Sequence, residues 1–94
     1  MLPEDSQERK EHPVYSGFVG YFPDAMVAVA RHSWLGNQKH NPNSHVHWDR
    51  SKSGDELDAM MRHILERDWV AVAWRAMANL QKQIEAGYVP EEEG

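Results

Sequence analysis

The chain has 94 residues, a formal net charge of −5, 40 % hydrophobic residues with four Trp and five Met, and no Cys. A domain of this length buries only about two-thirds of the surface its unfolded chain exposes, so the core is thin and large apolar side chains are left for a partner chain to cover. The negative charge excludes a general nucleic-acid binder, which needs a surplus of Lys and Arg, and the lack of Cys excludes disulfides and thiolate zinc sites.

The opening MLPEDSQERKEHP is acidic and polar where a secretory signal needs a basic start and an apolar run. No stretch approaches the ~18 apolar residues of a membrane span. A cytoplasmic protein with no membrane partner is therefore expected. Residues 1–13 read as a flexible tail, residues 14–87 as a helical domain, and residues 88–94, ending in EEEG, as an acidic tail.

Taken in chain order, the segment VYSGFVGYF at residues 14–22 is aromatic and Gly-spaced. It is too short and too Gly-rich for a stable helix and reads as an apolar strap over the core. Pro23 and Asp24 then open a first helix: Pro is tolerated in a first turn, and Asp favours the positive end of the helix dipole. Met26, Val29, Ala30 and Trp34 give it an apolar stripe, and Gly36-Asn37 reads as its stop. A long loop is expected from Gln38 to Lys52, turning at Asn41-Pro42-Asn43. Ser53-Gly54-Asp55-Glu56 matches a capping box, so a second helix starts there, with Leu57, Met60, Met61, Ile64 and Leu65 on one face. A third helix from Trp69 to Ala86 places Trp69, Ala73, Ala76, Met77, Leu80 and Ile84 at helical spacing, and Gly87 ends it. Val14–Val19 and His45–Trp48 are the only β-like stretches. The expected fold is all-α: a compact bundle of about three helices with a long His/Trp-rich loop, completed by oligomerisation.

Chemistry concentrates between Gly36 and His63. Lys39, His40, Arg50 and Lys52 precede a helix start that carries Asp55, Glu56 and Asp58. Free amides of a helix first turn attract phosphate, while acids in the same turn repel it unless a cation intervenes, so the combination makes better sense with magnesium than without. Asp55 and Asp58, three apart, suffice for a partial magnesium site, since that ion keeps waters and substrate phosphates as its other ligands. The bland reading is that these acids only complement the helix dipole. Arg62, four positions after Asp58, is either an ion-pair partner or a phosphate clamp. His45 and His47, with His40, His63 and Asp58, allow a zinc site by spacing, yet no Cys and no HExxH accompany them. Trp48 either plugs the loop onto the core or stacks on a base.

The strings YFPDAMVAVARHSWLGNQKHN, HWDRSKSGDELDAMMRH and AWRAMANLQKQIE resemble, in order, small phage and bacterial dATP/dGTP diphosphohydrolase-like proteins, grouped with the all-α, MazG-like nucleoside triphosphate pyrophosphohydrolases. The similarity runs from about Val14 to Glu85. It implies a helical fold that often dimerises, with magnesium held by acids on facing helices while water attacks the α-phosphate and pyrophosphate leaves. Asp55, Glu56 and Asp58 would be the catalytic and metal-binding acids. Lys39, His40, Arg50, Lys52 and Arg62, with His63 beside them, would hold phosphates, and Asn37, Asn41 and Trp48 would read base or sugar. Proteins of that group carry a further acidic, Gly-containing stretch between the RH and AWRA motifs. Here Arg62-His63 runs almost directly into Ala73-Trp74-Arg75-Ala76, leaving only Glu66 and Asp68. The departure falls where the second set of metal ligands belongs, so the resemblance implies ligand binding more directly than catalysis. The expected function is a phage-type purine nucleotide-binding protein acting in the host cytoplasm, with magnesium-dependent pyrophosphohydrolysis as its reaction. The alternative is a non-catalytic protein that sequesters a nucleotide signal or blocks a host protein.

Overall fold

The computed structural model describes residues 1–50 and 56–90. It contains helix α1 (Ser6–Lys10), a π-helical turn (Tyr15–Val19), α2 (Pro23–His40), α3 (Glu56–Leu65) and α4 (Trp69–Glu85), with no strand among the described residues. The all-α expectation holds. No helix is long and apolar enough to cross a membrane among these residues. The capping box at Ser53, together with Lys52 and Asp55, lies outside the described residues.

The tail expected to be flexible forms one short helix. Asp5 caps it by accepting from the Glu8 amide at 3.0 Å, a local bond that needs no core. Val14–Phe22 differs from the expected strap. It winds into a π turn closed by the Gly20 amide donating to the Tyr15 carbonyl at 2.7 Å, and its aromatic rings point outward instead of lying on the helices.

Pro23 and Asp24 open α2 as their chemistry demands, but the helix runs through Gly36-Asn37 to His40. Gly stops a helix only where the chain needs the left-handed conformation. Here Asn37 is only 5 % exposed, and its side-chain amide donates to the carbonyls of Asn41 and Ser44, so the last turn is anchored from beyond its own end. The loop consequently starts at Asn41.

Helices α3 and α4 form a hairpin, and α2 packs on α4. The connection is a Schellman motif: the Asp68 amide donates to His63 carbonyl and the Arg67 amide to Ile64 carbonyl, with Arg67 left-handed at φ 58°. Asp68 then caps α4 by accepting from the Ala71 amide. The same motif ends α4, with Gly87 at φ 113° in the left-handed place that glycine occupies without strain.

Among the described residues the buried apolar ones are Ala59, Ala71 and Ala78, and no large side chain is fully buried. Small side chains let backbones approach closely, so the hairpin and α2 meet along an alanine line. Much of each sequence-predicted stripe is exposed on the far side of its helix, with Met60, Ile64 and Ala73 half-buried. Leu80 follows Ala71 by nine positions, about two and a half turns, and so projects from the opposite side of α4. Trp69, Met77, Leu80 and Ile84 are exposed there, as are Leu57, Met61 and Leu65 on α3. On α2, Met26 and Trp34 also face outward, while Ser33 and Asn37 face α4.

Candidate functional site

The loop returns to the helices at Trp48. Its ring meets Trp74 of α4 edge-on at 5.8 Å, the favoured geometry for two aromatic quadrupoles. Trp74 is itself fixed by its indole N–H, which donates to the Ser33 hydroxyl of α2 at 2.8 Å, and His32 lies 6.3 Å from its ring centre. One Trp thereby ties α2, α4 and the loop together. Of the two roles open to Trp48, the plug describes its position.

Cations gather on these rings. The Arg50 guanidinium lies 4.2 Å from the Trp48 centroid, Lys82 Nζ lies 5.6 Å from the same ring, and Arg75 lies 5.6 Å from Trp74. Carboxylates engage two of them. Arg50 donates to Glu85, and Lys82 donates to Glu56 at 2.6 Å, joining the first turn of α3 to the last of α4. The Lys82 hydrogen bond holds the Glu56 carboxyl below its ordinary value, and bonds from Gln81 and then Arg50 do the same for Glu85. An anion arriving at Arg50 or Lys82 competes with a carboxylate already in place.

The residues singled out from the sequence therefore divide. Trp48, Arg50 and Glu56 come together, joined by Trp74, Lys82 and Glu85, which sequence reasoning missed. The signal for Lys82 was its place four positions after Ala78 on the line through Ala71. Lys39 and His40 belong to the last turn of α2, not to a loop; there the Lys39 charge complements the negative end of the helix dipole. Asn37 and Asn41 are bound to each other, the Asn41 amide donating to the Asn37 carbonyl at 2.6 Å, and the Asn37 Oδ1 atom is buried without a hydrogen-bond partner. Beside them Asn41, Pro42, Asn43 and Ser44 line a shallow hollow of about 290 Å³.

Asp58 and Arg62 are exposed on α3, one turn apart. His63 Nδ1 lies 3.9 Å from carboxylate oxygens of both Glu66 and Asp68, beyond hydrogen-bonding reach. His45 and His47 are exposed, and the His47 ring bonds the His45 carbonyl at 2.9 Å. Among the described residues no group of three His, Asp or Glu is placed to hold a metal ion. Of the acids expected to hold magnesium, Asp58 is exposed and Glu56 is engaged by Lys82, while Asp55 lies outside the described residues. Comparison with protein-family models, with curated proteins and with solved structures finds no match.

Proposed function

We propose that this chain is a binding module whose working unit contains at least two copies, with the outer apolar face of α3 and α4 as its contact surface. One observation carries this reading: Ala59, Ala71 and Ala78 turn inward, while Leu57, Met61 and Leu65 of α3 and Trp69, Met77, Leu80 and Ile84 of α4 are exposed. A helix apolar on two opposite sides is stable in water only when both are covered.

Sedimentation equilibrium tests the reading. At micromolar concentration the expected mass is at least twice 10.9 kDa, and Leu80→Glu, which places a charge on the outer face, lowers it to that of one chain. A single-chain mass for the unaltered protein overturns it.

A second reading, magnesium-dependent binding of a purine nucleotide, is supported by Asp58 and Arg62, which lie exposed beside the outer face of α3, where a second copy would add further groups. If Asp58 serves such a ligand, Asp58→Asn weakens magnesium-dependent binding of dATP or dGTP by roughly 1–3 kcal/mol in calorimetry. If it only complements the helix dipole, ligand binding is unmoved and stability changes by at most about 1 kcal/mol. Release of pyrophosphate in the same samples would make the module a hydrolase; tight binding without release would make it a nucleotide sponge.

A further inference from the structure

Residues 41–50 hold together as one piece. The Ser44 amide and hydroxyl both donate to the Asn41 carbonyl, and the His47 ring bonds the His45 carbonyl at 2.9 Å. Pro42, Asn43, His45, Val46 and His47 are exposed, so burial does not hold the middle of the segment. It is fastened near its ends. At the first, the Asn37 side-chain amide donates to the carbonyls of Asn41 and Ser44. At the second, Trp48 meets Trp74 edge-on and Arg50, stacked on the Trp48 ring, reaches Glu85.

The helix groups that meet this segment each have a second partner that does not depend on Trp48 or Arg50. Trp74 donates to the Ser33 hydroxyl, the Glu85 carboxylate accepts from Gln81 at 2.9 Å, and Lys82 donates to Glu56. Removing the segment therefore costs its own contacts and leaves the helical surface with its hydrogen bonds made. Nor are the fastenings strong. The Arg50 and Glu85 side chains are 48 % and 43 % exposed, and a pair as open as that is weak and screened by salt. At the other end the two carbonyl acceptors fix the Asn37 nitrogen, so its Oδ1 atom is the one left buried without a hydrogen-bond partner. A buried acceptor without a donor is unfavourable, and releasing Ser44 gives water access to it.

We propose that residues 41–50 form a releasable strap, pivoting at Asn41 and bolted by Trp48 and Arg50, whose opening uncovers Trp74 at the junction of α2 and α4. Closed, the strap sets one aromatic ring against another and places the Arg50 charge on the end of α4. Open, it leaves Trp74 tied to Ser33 with Lys82 still on Glu56, so the helices stay assembled while the junction becomes accessible.

The chain has four Trp, at 34, 48, 69 and 74, and the strap touches two of them. Full-length protein labelled with 5-fluorotryptophan gives one fluorine signal for each, assigned by single Trp→Phe variants. Relaxation dispersion is then recorded on the unaltered sequence and on Glu85→Gln, with helicity measured on the same samples. The strap predicts that the Trp48 and Trp74 signals exchange with a common rate while Trp34 and Trp69 do not. Glu85→Gln, which removes the charge that Arg50 meets, raises the open population by up to about fivefold, the reach of an exposed ion pair, at unchanged helicity. Exchange absent from Glu85→Gln overturns the proposal. So does exchange of Trp48 alone, which is a ring motion, or of all four signals together, which is unfolding. A second variant, Trp48→Ala, is expected to keep its helices and shift the Trp74 signal to its open position; loss of helicity there makes Trp48 part of the core and overturns the strap.

Discussion

Along the side of α4 that carries Ala71, Trp74, Ala78 and Lys82, the large side chains have partners within the chain: Trp74 has Ser33 and Trp48, and Lys82 has Glu56. Half a turn away, Trp69, Met77, Leu80 and Ile84 are exposed, Trp69 by 60 %. The inner side is built from small residues and hydrogen-bonding ones, the outer from large apolar ones. In this chain, then, residue size separates the two faces: alanines admit the neighbouring helix, and the greasier face stays exposed.

The widest separation of the two sides is expected from paired truncations. Trp74→Ala removes the ring that ties three segments together and should cost about 3 kcal/mol in chemical denaturation, with no dependence on protein concentration. Met77→Ala, three positions on, should cost less than about 1 kcal/mol in dilute solution and progressively more as concentration rises, because its partner arrives by mass action. Equal, concentration-independent losses would erase the distinction.

A smaller effect sharpens the inner side through pH. The Glu56 carboxyl is held below its ordinary value of 4.5 by the Lys82 hydrogen bond. A lowered carboxyl contributes stability that is present in full above its unfolded value and is lost as pH falls through its folded value. Stability should therefore drop on acidification below the ordinary carboxylate range, and Glu56→Gln should flatten that part of the profile. An unchanged slope would mean that the pair does not close the hairpin.

The smallest concerns the hairpin's turn. Arg67 occupies the left-handed position that Gly87 occupies in the matching motif at the end of α4. Arg67→Gly relieves that conformation but adds freedom to the unfolded chain, so the expected change in melting is a gain of at most about 1 kcal/mol. A clear loss would show that the Arg67 side chain contributes contacts of its own.

Much of the fold was legible from residues whose effect is local. Pro23 and Asp24 opened a helix where their backbone chemistry says they should, and Gly87 follows the end of α4. The end of α2 was not legible at Gly36, because what carries the helix onward is Asn37 bonding forward to Asn41 and Ser44, a contact that exists only once the loop has folded back. Periodicity located the apolar stripes of α3 and α4 without saying what covers them, and Leu57, Met61, Leu65, Met77, Leu80 and Ile84 are exposed in the chain. In the candidate site, Trp48, Arg50 and Glu56 were legible by type. Lys82 and Glu85, which engage those two charges, lie far along the sequence and are near only through the hairpin.

The most direct test of the two-sided account is the rate at which peroxide oxidises individual methionines, read by mass spectrometry across a dilution series. Met61 and Met77 are 52 % and 51 % exposed on the outer face of the single chain, and Met1 is fully exposed at the chain terminus. The account predicts that Met61 and Met77 are protected relative to Met1 at high concentration and lose that protection together on dilution. Oxidation of both at the same rate relative to Met1 at every concentration would contradict it, leaving the outer face of α3 and α4 bare in solution.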